Sequence, residues 1–130
     1  MPYSISVERG ECKFQFDFDL EDGLSVSEKA RRAGVICRAY RTAADFYYCM
    51  RTRIEKEHRK DADVTIDMKA VRKECGLRGG AGGEDESHFV LFLAGIFEKT
   101  GFQVIHCGFG LDANGDIIDG DNVYVKVKKN

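Results

Sequence analysis

The feature that most constrains this chain is one amphipathic segment running from Ser25 to about His58. Ala33, Ile36, Tyr40, Ala43, Tyr47, Met50 and Ile54 recur at alternating steps of three and four, the spacing that places residues on one stripe of a helix. At about 100° per residue, the opposite side collects Arg31, Arg38, Arg41, Lys56 and Arg59, interrupted mainly by Asp45. A chain with this segment must build its core around the apolar stripe. It must also leave a cationic stripe facing outward.

With 130 residues the chain is expected to form one α+β domain over residues 1–130, because that length buries roughly 65–70% of its unfolded surface. Apolar residues make up 43% and charged residues 32%, the balance of an ordinary globular protein and not of a disordered one. Pro2 is the only proline against fourteen glycines, so Gly, Asp and Asn have to mark the loops. Met1 to Ser6 shows no basic region followed by an apolar run, which argues against a secretory signal. The longest apolar run, Phe89 to Phe97, is far short of the ~18 residues needed to cross a bilayer. The expectation is a cytoplasmic protein without a membrane partner. Its five cysteines, odd in number and never spaced CxxC, are then expected to be reduced thiols.

Local patterns set the elements. Tyr3, Ile5 and Val7 alternate, and after Glu8-Arg9-Gly10-Glu11 so do Cys12, Phe14, Phe16, Phe18 and Leu20, which predicts a hairpin with one apolar face. Ser25-Val26-Ser27-Glu28 fits a capping box at the start of the long helix. Gly34 marks a bend or a close backbone approach. Val64-Thr65-Ile66 is a short extended candidate, and Asp67 to Cys75 a short helix with Met68, Val71 and Cys75 inward. Beyond the flexible Gly79-Gly80-Ala81-Gly82-Gly83, a helix capped by Asp85 or Ser87 runs to Lys99, with Gly101 just past its end. A strand over Phe102 to Phe109, a turn at Asn114-Gly115 and a strand through Val123, Val125 and Val127 complete the chain.

The expected fold is therefore an N-terminal β-hairpin, a long central amphipathic helix, two shorter helices and a C-terminal β-hairpin. From Tyr40 onward this is a winged-helix-like order of elements, an order and not a motif match. The long helix should pack on a small antiparallel sheet made from both termini. Phe46 and Tyr48 should flank the buried stripe and cover the N-terminal strands.

Net charge is −2, yet residues 25–60 hold ten Lys and Arg against four Asp and Glu, giving +6, while residues 1–24 hold two against six, giving −4. Phosphates are bound by such groups because neutralisation releases counterions and guanidinium forks hold two oxygens at once. Arg31, Arg38, Arg41, Lys56 and Arg59, with Arg78 before the Gly-rich loop, are the expected partner-binding residues. Equally, they would serve as an ordinary solvated helix face. The acidic opening of the later helix, Glu84-Asp85-Glu86, has the wrong sign for a base-reading helix.

Specific chemistry is not indicated elsewhere. The Gly-rich loop lacks the GxxxxGK[ST] order of a phosphate cradle. Aligned as a calcium loop, Asp112, Asn114, Asp116, Asp119 and Asp121 are followed by Val123 where a bidentate Glu belongs. His58, His88 and His106 are dispersed, and His106 and Cys107 point to opposite faces of a strand. No catalytic residue, cofactor or metal is expected. The sequence points to a non-enzymatic regulatory or adaptor protein binding nucleic acid or a nucleoprotein through the cationic helix face. The alternative is an inhibitor or immunity-type factor, of the kind mobile elements carry, that occludes a partner protein's site. A homodimer is compatible with either.

Overall fold

Alternation near the N-terminus folds as expected. The computed structural model describes residues 3–57, 64–67, 70, 73–74, 84–111 and 117–129, with side chains described for 3–51, 70, 73–74, 88–105 and 126–129. Strands β1 (Tyr3–Arg9) and β2 (Cys12–Phe18) pair antiparallel from Tyr3↔Phe18 to Arg9↔Cys12. Gly10 in the turn has φ +57°, a left-handed conformation that favours glycine. A Cβ built there would also sit 2.5 Å from the Tyr48 hydroxyl oxygen, so packing imposes the same choice. Ile5 and Val7 are buried with Phe14 and Phe16 packed beside them, while Ser4, Ser6, Glu8, Lys13, Gln15 and Asp17 face out.

Helix α1 (Val26–Glu57) begins at the expected cap: the Glu28 amide donates to Ser25 Oγ at 3.1 Å. The reciprocal half of the box is absent, because the Glu28 carboxylate is taken by Arg31 and Arg32 instead. Tyr40, Ala43, Tyr47 and Met50 are buried as the periodicity requires, but so are Val35, Ala39, Ala44 and Phe46. These eight residues cover about half of the helix circumference, wider than a stripe facing a single neighbour. Two bodies cause this. The hairpin contributes Phe16 against Tyr40 (ring centroids 5.3 Å apart) and Phe14 against Tyr47 (5.5 Å). Helix α2 (Glu84–Lys99) contributes Phe89 against Phe46 (5.0 Å). Phe46 is therefore central to the core and not a flanking residue. Tyr48 does cover the hairpin turn, 37% exposed.

Phe89, Val90, Leu93, Ile96 and Phe97 bury the inner face of α2. Its end is closed by the Thr100 hydroxyl, which donates to the Ile96 and Phe97 carbonyls at 2.9 and 3.0 Å, and by Gly101 at φ +96°. The chain then enters β4 (Phe102–Leu111), which pairs antiparallel with β5 (Ile117–Lys129) from Phe102↔Lys129 to Leu111↔Ile117, with register shifts after Val104 and around Gly110. β3 (Val64–Asp67) pairs with the other edge of β5, so the sheet order is β3-β5-β4. Phe102 against Phe97 and the buried Val127 join this sheet to α2.

The class is α+β, but the expected arrangement is corrected on two points. Among the described residues two helices can be followed from end to end, and the three-helix winged-helix order is not matched. Of the expected helix Asp67 to Cys75, Asp67 closes β3, Ala70, Lys73 and Glu74 are helical, and the other residues lie outside those described. The expected single sheet from both termini is two separate sheets, one of two strands and one of three. The reason is physical: the apolar face of the N-terminal hairpin is consumed by α1, while β5 finds its second neighbour in β3. Burying a side chain such as Phe46, Phe89 or Phe97 contributes roughly 1.5–3 kcal/mol, so the junction of α1 with its two neighbours carries the core.

Candidate functional site

Position on a wrapped helix decides which cations remain available. The hairpin and α2 occupy about half of α1, and the side left open carries Arg31, Arg38 and Arg41, all exposed. Seven residues separate the first two and three the last two, so the row advances about 15 Å along the axis while staying on one face. The Arg38 guanidinium lies back over Gly34, 3.3 Å from where a Cβ would be, so the neighbour of this glycine is the end of a side chain and not the close backbone approach expected. Among the described residues neither Arg38 nor Arg41 has an ion-pair partner. Lys56 belongs to α1 five turns beyond Arg38, although its side chain is outside those described; Arg59 and Arg78 lie outside the described residues altogether.

The acid that interrupts the stripe is neutralised from another element. Arg9, at the end of β1, donates through Nε to Asp45 and through Nη1 to the Glu8 carbonyl at 2.7 Å. Arg9 is therefore a contributor that sequence reasoning missed. Nothing local marks it, since it is 36 residues from its partner. Nearby, Arg51 pairs with Glu11, donates through Nη1 to Cys12 Sγ at 3.0 Å and stacks 5.0 Å above the Tyr48 ring. Its hydrogen bond to Glu11 pushes the guanidinium pKa up and holds the Glu11 carboxyl below its ordinary value. Arg51 is thus committed internally.

At the N-terminal end, one carboxylate serves two guanidiniums. Arg31 grips Glu28 with Nη2 at 2.7 Å and Nε at 3.2 Å, and Arg32 Nε reaches it at 3.0 Å and Glu21 through Nη1 at 3.8 Å. Hydrogen bonds from Arg31 and then Arg32 lower the Glu28 pKa to about 2. The two guanidiniums share Glu28, and Arg32 also reaches Glu21, so both cations at this end of the helix have acids beside them. A cleft of about 330 Å³ opens beside it, bounded by the segment after β2, the first turns of α1 and His88 of α2.

Other sequence candidates are not brought to this face. Asp119 lies in β5 paired with Gly110, not in a turn, and Asp112, Asn114 and Asp116 lie outside the described residues, as do Gly79 to Gly83, His58 and Cys75. The side chains of His106 and Cys107 in β4 are likewise outside those described. No group of three metal-ligating side chains occurs among the described residues. None of the described helices is long and apolar enough to cross a membrane. The expectation of reduced cysteines is corrected at one position: Cys12 and Cys37 are free, but Cys49 is disulfide-bonded. Comparison with protein-family models, curated proteins and solved structures returns no match.

Proposed function

We propose that this is a non-enzymatic protein that binds nucleic acid through the open face of α1, with Arg31, Arg38 and Arg41 on the phosphates. The observation that carries this is the pairing pattern. Arg51 is committed internally and the interrupting acid Asp45 is neutralised by Arg9, while Arg38 and Arg41 stay exposed and without an ion-pair partner among the described residues, and Arg31, paired with Glu28 on its own helix, is exposed on the same row. A face serving only solubility has no need to silence the acid that interrupts it. Guanidiniums in a row suit phosphate oxygens, which accept their forked donors and release counterions on binding.

The test is fluorescence anisotropy with labelled DNA and RNA at several salt concentrations. Three phosphate contacts give a slope of about −2.7 in log affinity against log salt on a duplex and about −2.1 on a single strand, so affinity falls about fortyfold or about eighteenfold between about 50 and about 200 mM. In Arg38→Glu/Arg41→Glu at most one contact remains, and the same change in salt costs about fourfold. Equal slopes for the two proteins would refute the assignment.

A further inference from the structure

The cleft beside Arg31 differs in chemistry from the open face of α1. Its floor is apolar, formed by Val35 and Ile36, and its rim carries two carboxylates, Asp19 and Glu21, together with Arg31 and Arg32. The two acids offset the two guanidiniums, so the lining gives a phosphate no excess of positive charge. An uncharged group with an apolar body and hydrogen-bond donors at its edge is accepted. The shape of that body is indicated by His88, which lines the cleft and stacks on Phe92 (ring centroids 6.0 Å, planes 21° apart). Phe92 in turn contacts Phe16 at 4.8 Å and Tyr40 at 5.4 Å, so His88 is the outermost ring of an aromatic cluster that fixes its orientation. A held ring and two planar guanidiniums around an open space of about 330 Å³ suit a flat heterocycle.

We infer that this cleft receives one unpaired nucleobase bearing an exocyclic amine, so that the nucleic acid bound by this protein is single-stranded. This rests on the assignment of the open face of α1 to phosphates. Arg31 belongs to both features, which places the base entry at one end of the phosphate row. Bases within a duplex are stacked and paired and cannot enter; unstacked ones in a single strand can. Asp19 and Glu21 accept from an amine, as carboxylates do from cytosine N4, and repel the carbonyl that thymine carries at the same position, while the Arg31 and Arg32 guanidiniums that could donate to it are held on Glu28.

The experiment compares labelled oligo(dC), oligo(dT) and a duplex of equal length, on the wild type and on Asp19→Asn/Glu21→Gln. In parallel, His88 ring resonances are followed by NMR during titration with cytidine and thymidine, which carry no phosphate. Oligo(dC) should bind about fivefold tighter than oligo(dT), the value of one exposed hydrogen bond, and tighter than duplex. The double variant should erase the preference for dC, with the salt slope steepening by at most one contact as Arg32 loses Glu21. Cytidine should move the His88 resonances more than thymidine does. Equal binding of dC and dT, a preference untouched by the variant, or no response of His88 to either nucleoside would overturn the cleft assignment and leave the phosphate face standing. A cytidine response without salt-dependent binding of any oligomer would support the cleft and overturn the phosphate face.

Discussion

Replacing Asp45 by Asn should strengthen binding, because it turns a neutralised pair into an available cation. Asp45 and Arg9 side chains are 34% and 37% exposed, and a pair at that depth contributes only about 0.2–1 kcal/mol to folding. The fold should therefore persist. The substitution removes the acid that interrupts the open face and frees the Arg9 guanidinium, which lies against the helix at position 45, one turn from Arg41. Three phosphate contacts become about four, and the salt slope on a single strand steepens from about −2.1 to about −2.8. One added contact multiplies affinity by roughly 8 at about 50 mM salt and by roughly 3 at about 200 mM. The assay is anisotropy with a single labelled oligonucleotide across that range, with a melting temperature for each protein. A variant of unchanged melting temperature whose slope is unaltered, or whose binding is weaker, would refute the reasoning.

Four other outcomes are expected. Phe46→Ala, which removes a fully buried ring from between α1 and α2, should cost about 3–5 kcal/mol by denaturant titration. Gly10→Ala should cost about 1–3 kcal/mol from its left-handed φ, together with displacement of Tyr48. The Glu28 carboxyl, depressed to about 2, contributes stability that is present above its ordinary value of 4.5 and lost as pH falls from there through about 2. Glu28→Gln should therefore flatten the acid limb of the stability profile in that window, and an unchanged limb would contradict the Arg31 and Arg32 contacts. Alkylation of the unfolded, non-reduced protein should label three of the five cysteines, since one disulfide at Cys49 removes two thiols; five labels would contradict it.

What the sequence reveals here is what neighbours along the chain decide. The alternation of Phe14 and Phe16, the Ser25 cap and the Gly101 stop each depend on a few adjacent residues, and each is found in the structure. The period of α1 locates Tyr40, Ala43, Tyr47 and Met50 but understates the burial. Ala39, Ala44 and Phe46 sit off the stripe, and only a second packed body, α2, brings them inside. Strand partnership is equally non-local. Val64 to Asp67 reads as a strand from its own residues, but nothing in them says that it pairs with β5 and not with the N-terminal hairpin. The same divide runs through the site. The exposure of Arg31, Arg38 and Arg41 follows from helical spacing, whereas the silencing of Asp45 by Arg9 and the meeting of Asp19, Arg32 and His88 around one cleft require the tertiary fold.

The central claim is that a particular face, and not overall charge, binds nucleic acid. The most direct measurement is the affinity of Arg38→Glu/Arg41→Glu beside that of Lys13→Glu/Lys129→Glu, at low salt and on one labelled oligonucleotide. Both variants change the net charge equally, and both alter exposed residues, the second pair on β2 and β5. Loss of binding in the first variant with near wild-type binding in the second is the predicted result. Equal losses in the two variants would contradict the account.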